Sequence, residues 1–492
     1  MLEVQNIQEL MYKKSDINIL LSEPLCPRDV TWGKFKKGAG NNTFSYGLAN
    51  IASYCIKEGF KSIKFVEPQI EEISEKDYFN LLKKEQFKAV GITSTTTAMD
   101  YTYNTFKLIK KALPNAYTIL GGIHATTCPE ESLKECDELD IVCIGEGEAT
   151  FADLLREMQK QKPDLSQIKG IAYRENGKIV FTQGREVIKN LDDIPVPSYN
   201  LFPMDKYQVQ ITTAKVFPTF TMLVSRGCTY RCTFCNATEV HGKQVRYNSP
   251  EKVVNEVLLL RDKFGAKGIA FMDSTFTISK KFVNEFCDLM IERKVNLPWS
   301  CLSRTDTVNE EMLKKMKKAG CWGLTFGIES GNQKSLDLIK KANTVEQNTK
   351  MVKIALKLGF FIYATYIICL PGETKKDALN TIKYAKMLGT QSAMFYLPVP
   401  FPQTELFKAC EADGGIRKDA GKNNYSDFNS WNFDNPVYVN PLIGKEEMQK
   451  IYNYAYRSYF TRPIVLWRNL KEINSKDGII KYFHAARCVL HI

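Results

Sequence analysis

The sequence predicts an α/β protein. An N-terminal doubly wound, Rossmann-like parallel sheet precedes a partial (β/α)6 barrel of the TIM type and a small helical C-terminal region. Three observations carry this expectation. Residues 1–160 hold five short apolar runs separated by helical patterns, as a doubly wound sheet requires. Residues 216–410 hold six more, alternating with helical patterns of roughly 10 to 15 residues. Between them, Leu191-Asp192-Asp193-Ile194-Pro195-Val196-Pro197-Ser198 sets two prolines close together and favours an extended junction. The expected divisions are 1–160, a hairpin and linker over 161–215, the barrel over 216–410, and a mainly helical 411–492.

In the first part, strands are expected over 17–21, 62–66, 89–93, 117–120 and 140–144, with a helix near 46–58 closed by Gly59. A parallel sheet of this kind binds ligands at the carboxyl ends of its strands. Those ends carry Ser94-Thr95-Thr96-Thr97, Gly121-Gly122-Ile123-His124 and Gly145-Glu146-Gly147-Glu148. Glycines let the backbone approach a flat or bulky ligand, and hydroxyls bond to amide side chains. Gly145-Glu146-Gly147 lacks the third glycine of a dinucleotide loop and follows the last strand, not the first. His124 taken alone reads first as a structural histidine.

In the connecting segment, Glu175-Asn176-Gly177 lies between two apolar runs and signals a hairpin turn. In the second part, strands are expected over 219–225, 267–272, 298–303, 322–328, 361–369 and 392–397, with chemistry at their carboxyl ends. In the last part, 413–438 reads as loop, and 446–459, 466–473 and 479–489 as helix. Tyr452, Tyr454, Tyr456, Tyr459 and Phe460 read as core packing before substrate binding. His484, Cys488 and His491 include one thiol only, a poor basis for a second metal site. Substrate identity is expected to reside in this region.

Composition narrows the function. Basic residues number 67 against 55 acidic, and the excess is spread as lysines such as Lys314-Lys315 and Lys317-Lys318. This pattern reads as a solvated surface and argues against nucleic acid as a partner. Met1-Leu2-Glu3-Val4-Gln5 lacks the basic and apolar regions of a signal peptide. No run reaches the roughly 18 apolar residues of a membrane span, and 360–370 suits a buried strand. A cytoplasmic protein is expected, in which 14 cysteines serve as thiols and metal ligands, not disulfides.

The stretch with the strongest chemical content is Ser225-Arg226-Gly227-Cys228-Thr229-Tyr230-Arg231-Cys232-Thr233-Phe234-Cys235-Asn236. Three thiolates can hold three corners of a four-iron four-sulfur cube and leave the fourth iron open to a chelating small molecule. Arg226 and Arg231 are expected to favour the thiolates. Two other readings stay open. Zinc needs a fourth ligand at short range, for which His241 is poorly spaced, and a redox Cys-x-x-Cys has no need of Cys228.

The three-cysteine spacing, with an aromatic residue before the last, resembles the radical S-adenosylmethionine (SAM) enzymes. The three strand ends of the first part, in their order, resemble the cobalamin-binding domain that precedes the radical SAM core in one subfamily. The resemblance covers residues 1 to about 410. It implies that Cys228, Cys232 and Cys235 hold a 4Fe-4S cluster and that Phe234 packs on the adenine of SAM. It implies that Asp273 lies near the SAM amine, that Arg304 pairs with the SAM carboxylate, and that Glu329 meets the ribose or the amine. Leu370-Pro371-Gly372-Glu373-Thr374 resembles a family turn, and Pro398-Val399-Pro400-Phe401-Pro402-Gln403-Thr404 another, with Gln403 at the usual glycine. Ser330 and Thr374 also read as ordinary helix caps.

For cobalamin the resemblance implies contacts from Ser94, Thr95, Gly121, Gly122, His124, Gly145 and Glu146. The Asp-x-His-x-x-Gly of other cobalamin proteins is absent: Glu67-Pro68-Gln69-Ile70-Glu71 follows the second strand, so the cobalt is expected to lack a protein imidazole. The implied activity is reductive cleavage of SAM at the cluster, hydrogen abstraction from an unactivated substrate carbon, and methylation from cobalamin. The implied partners are a small-molecule substrate and an electron donor such as flavodoxin or ferredoxin. Cyclisation or rearrangement without methyl transfer, and a cobalamin or iron–sulfur sensor without turnover, are the rival expectations.

Overall fold

The computed structural model describes residues 17–27, 30, 44–207, 209, 214–422, 424–430, 432 and 434–465. The first sheet contains β1 (Ile19–Ser22), β2 (Ile63–Val66), β3 (Ala89–Thr93), β4 (Tyr117–Gly121), β5 (Ile141–Cys143), β6 (Ile171–Glu175) and β7 (Lys178–Phe181). Their spatial order is β2-β1-β3-β4-β5-β6-β7, parallel from β2 to β5 and antiparallel from there. Its helices are α1 (Tyr46–Lys57), α2 (Pro68–Glu71), α3 (Glu75–Glu85), α4 (Met99–Ala112), α5 (Ile123–Thr127), α6 (Pro129–Glu135) and α7 (Gly147–Met158).

Alternate side chains of a strand face opposite sides of its sheet. Ile19 and Leu21 accordingly enter the core that contains α1 and α7, while Leu20 enters the one that contains α3 and α4. Gly91 in β3 is required by packing. A β-carbon there would lie 2.9 Å from the Phe151 ring of α7.

The hairpin read as part of the connecting segment belongs to this sheet, because β6 pairs with β5 through Ile141 and Tyr173. Asn176 and Gly177 both take positive φ, 49° and 74°, the geometry a two-residue hairpin turn demands. Chain separation cannot reveal that pairing, since the hairpin is self-contained in sequence.

The second sheet has six strands, all parallel: β8 (Thr219–Met222), β11 (Gly268–Phe271), β12 (Trp299–Ser303), β13 (Cys321–Glu329), β14 (Phe361–Ile367) and β15 (Ser392–Tyr396). They follow one another in sequence order across the sheet, as a partial barrel does. The first expected strand is shorter than its apolar run: β8 stops at Met222. A separate antiparallel ribbon then forms from β9 (Ser225–Arg226) and β10 (Arg246–Tyr247). Between these strands lie α8 (Ala237–His241), α9 (Pro250–Phe264), α10 (Lys280–Glu292), α11 (Glu310–Lys318), α12 (Gln333–Leu338), α13 (Val345–Lys357) and α14 (Lys375–Leu388). Phe271, Phe276, Phe282, Phe286 and Trp299 pack edge and face among sheet and helices, and Trp299 Nε1 donates to the Ala319 carbonyl at 2.8 Å.

After α15 (Glu405–Ala412), residues 413–440 cross to the first sheet, where Tyr425, Phe428 and Val437 join the core beside α4. The chain then returns as α16 (Lys445–Phe460), whose Tyr456 and Tyr459 hydroxyls donate to the Phe395 and Thr390 carbonyls at 3.1 and 2.7 Å. The aromatic run of this helix is thus largely core, with Tyr454 left exposed. The helices expected over 466–473 and 479–489, with His484, Cys488 and His491, lie outside the described residues. Among the described residues no helix is long and apolar enough to cross a membrane.

Candidate functional site

The cysteine loop springs from the carboxyl end of β8. Its root is shaped by Asp273, which follows β11. Asp273 Oδ1 accepts from the Val224 and Ser225 amides at 2.9 and 2.6 Å and from Ser225 Oγ at 2.6 Å. The carboxyl group is fully buried, its pKa is pushed up to about 6 by that burial, and Oδ2 has no partner among the described residues. The expected SAM amine contact is therefore not displayed at the surface. Asp273 holds the strand-to-loop turn, and exposed Ser274 lies beside it.

Cys228, Cys232 and Cys235 are free thiols on this loop. The Cys228 amide donates to Gly242 O at 3.3 Å, Cys235 to Cys232 O at 3.1 Å, and Thr233 to Ile339 O at 3.0 Å. The Thr233 carbonyl in turn accepts from Leu406 at 2.8 Å. Phe234 is half-buried against the cluster of Leu336, Ile339 and Leu370. Among the described residues no three His, Cys, Asp or Glu side chains gather as ligands of one ion. A cube keeps its thiolates farther apart than a single zinc does, and its donor set of soft sulfurs is what the loop offers.

The cations that face the thiols are not the two arginines of the motif. Arg226 is ion-paired with Glu148, and Arg231 is exposed. Burial raises the Cys232 thiol pKa, and the charges of Lys341 and Arg304 oppose that rise. Arg304 lies after β12 with its guanidinium 3.5 Å from the centre of the Tyr230 ring. Its Nε and Nη2 both bond to Asp306 at 2.9 Å, Nη2 also reaches the Lys341 carbonyl, and Nη1 lies 3.8 Å from Cys232 Sγ. The fork expected to clamp the SAM carboxylate is here paired with Asp306, and Arg304 also stacks on Tyr230 of the cysteine loop.

Lys341 is the other cation whose charge acts on Cys232. Its Nζ lies 2.9 Å from Glu329 Oε1 at the end of β13, and both side chains are buried. The pair sits over Gly327, where a β-carbon would lie 2.5 Å from Glu329 Oε1 and 2.8 Å from Lys341 Nζ. Glu329 itself takes a φ of 62°, just past a register shift in the β13–β14 pairing, and pairs with Tyr366. In sequence Lys341 stands in Lys340-Lys341, which reads as solvated charge. Lys340 is solvated, while Lys341 is turned inside. Thr374 forms the capping box of α14, whereas Ser330 Oγ accepts from the Asn332 amide at 3.1 Å in the turn before α12, whose N-cap is Asn332.

The strand ends of the first sheet divide into a rim and an interior. Thr95 is exposed, and β-carbons at Gly121 or Gly145 would meet nothing within 4 Å, so open space lies above them. Gly122, at φ 98°, presses against β3: a β-carbon would fall 2.8 Å from Ser94 O. Backbone open to this extent at three adjacent strand ends fits a large flat cofactor such as cobalamin.

Ser94, His124 and Glu146, expected among the cobalamin contacts, are instead buried. Ser94 Oγ is 2.7 Å from Thr102 Oγ1. His124 Nδ1 is 3.2 Å from Thr96 Oγ1, its ring packs edge-on against Tyr425, and burial lowers its pKa to about 4. Glu146 receives Arg246 Nη2 at 2.7 Å and Nη1 at 3.1 Å, and the Ile188 amide at 2.8 Å. Burial alone would raise its pKa, yet His241 Nδ1 at 3.6 Å, the hydrogen bonds from Arg246 and the charge of Arg226 hold it well below the usual carboxylate range. Helix α5 of the first sheet packs against α8, which follows the cysteine loop.

A model of the Radical SAM superfamily matches residues 222–385, and a B12 binding domain model matches residues 38–155. An uncharacterized methyltransferase of Pyrococcus horikoshii is 34% identical over 450 residues, which are 92% of this chain and 94% of that one. The anaerobic magnesium-protoporphyrin IX monomethyl ester cyclase of Rubrivivax gelatinosus is 27% identical over 425 residues, 85% of this chain and 74% of that one. Among solved structures, the radical SAM methyltransferase TsrM of Kitasatospora setae, with cobalamin and a 4Fe-4S cluster bound, shares the fold. The TM-score is 0.69 at 15% identity, covering 90% of this chain and 89% of that one.

Proposed function

The chain belongs to the cobalamin-binding radical SAM enzymes, and on that premise we propose that it methylates an unactivated carbon of a small-molecule or natural-product substrate. One observation carries the choice of methyl transfer: the Pyrococcus horikoshii relative, matched along nearly the whole of both chains, is named a methyltransferase. The cofactors are a 4Fe-4S cluster, SAM and cobalamin. When bound, they supply hydrogen abstraction from an unactivated carbon and a transferable methyl group.

The residues of this chain bind and orient. Cys228, Cys232 and Cys235 would hold the cluster as thiolates. Burial favours the neutral thiol of Cys232, so its proton leaves as metal binds. Lys341 and Glu329, a cation beside an anion, match the carboxylate and amine of the methionine end of SAM. Phe234 offers a half-buried ring to the adenine. Thr95, Gly121, Gly122 and Gly145 would line the cobalamin. An external one-electron donor of flavodoxin or ferredoxin type would complete the system.

The cyclase relative supports a second reading, ring formation without methyl transfer. Anaerobic reconstitution followed by SAM, a reductant and candidate substrates separates the readings. Methylation yields 5′-deoxyadenosine and a product heavier by one CH2, whereas cyclisation adds no carbon. Absence of 5′-deoxyadenosine with every substrate would favour a sensor without turnover. Cys232→Ala is expected to lose the cluster and all SAM cleavage, and retained cleavage would refute the ligand assignment.

A further inference from the structure

We propose that Glu146 and Glu148 are positioning residues for the cysteine loop, through two ion pairs that make its seating depend on the first domain. The proposal rests on the reading that this loop carries the cluster. The loop grows from the ribbon of β9 and β10, two residues a side, in which Arg226 stands directly opposite Arg246. Like charges directly opposite destabilise a ribbon, and a two-stranded ribbon this short is marginal by itself.

Both arginines are answered from one place, the N-terminus of α7, where Glu146 is the N-cap and Glu148 lies in the first turn. Arg226 Nη1 lies 3.2 Å from Glu148 Oε2, its Nη2 pairs with Glu148 Oε1, and Nη1 also lies 3.4 Å from Glu146 Oε1. Arg246 forms the bidentate pair with Glu146 described above. The side chains of Arg226, Arg246, Glu146 and Glu148 are 13%, 7%, 4% and 3% exposed, so removal of any one strands a buried charge. The ribbon passes the constraint on directly. Gly227 follows Arg226 at φ 96°, with the Gln244 carbonyl against its α-carbon, and Cys228 comes next, bonded to Gly242. Asp273 secures the same root from the barrel side. The first cysteine is therefore aimed by two domains at once.

The test uses the full chain, reconstituted anaerobically with iron, sulfide and cobalamin. Glu148→Gln and the apolar pair E148M/R226M are compared with the parent by iron and sulfide content, by the electron paramagnetic resonance of the reduced cluster with SAM, and by hydrogen exchange. Methionines of similar volume remove the buried charges together, which tends to leave stability near the parent's. The expected result is at least threefold less iron and sulfide, or an altered resonance, in both variants. Exchange should accelerate over 225–247 while the strands of both sheets stay protected. Parent-like cluster content and resonance in the folded double variant would overturn the proposal. So would loss of protection throughout both variants, because the pairs would then hold the fold and not the loop. Failure of the parent itself to take up iron and sulfide would count against the cluster reading instead.

Discussion

At the scale of single residues, burial decides what an ionisable side chain does. His124 and Lys341 both end up inside the protein, and only one acquires an opposite charge. His124 has a hydroxyl and an aromatic ring for neighbours, so it stays neutral, with a pKa lowered from 6.5 to about 4 by desolvation. The sign of the consequence follows. A depressed folded-state pKa contributes stability that is complete above about 6.5 and is lost as pH falls toward about 4. Between pH 7.5 and 4.5, cobalamin-free protein should lose on the order of 3 kcal/mol more stability than His124→Gln. Denaturant unfolding at the two pH values measures this, and equal losses in both proteins would refute it. Lys341 instead meets a carboxylate, with its Nζ 2.9 Å from Glu329 Oε1.

At the scale of elements, turns settle where the chemistry sits. Gln403 occupies the position at which the resembling turn carries glycine, and it takes a φ of 65°. A left-handed conformation costs a residue with a β-carbon about 1 kcal/mol, more if it is β-branched. Gln403→Gly should leave the thermal midpoint unchanged or slightly raised, since relief of strain is offset by glycine's unfolded-state entropy. Gln403→Val should lower stability by about 1–2 kcal/mol. A Val variant as stable as the parent would show that the turn is not strained. The hairpin behaves in the opposite way: Asn176-Gly177 suits its turn without cost and was legible from two letters.

At the scale of the whole molecule, the two sheets are joined by elements distant in sequence. Residues 413–440 supply Tyr425, Phe428 and Val437 to the first-sheet core, and Ser426 N donates to Asp100 Oδ2 at 2.9 Å. Phe428 is 1% exposed. Phe428→Ala should therefore cost about 3–5 kcal/mol. The loss should appear as faster hydrogen exchange at Ile92 and Leu120, in a domain whose own sequence ends far earlier. Unchanged exchange in β3 and β4 would mean that the crossing segment adds nothing to that core.

The sequence by itself determined the two α/β units, their order, the three thiols and the glycine-lined strand ends. Each of these rests on short-range periodicity or spacing, which the chain carries locally. Tertiary structure alone decided which charges are spent. Glu146 pairs with Arg246 and Glu148 with Arg226, Arg304 pairs with Asp306, and Lys341 rather than Lys340 lies inside. The reason is physical: the charge state and availability of a side chain depend on desolvation and on partners often tens of residues away, and neither quantity is written in its neighbours along the chain.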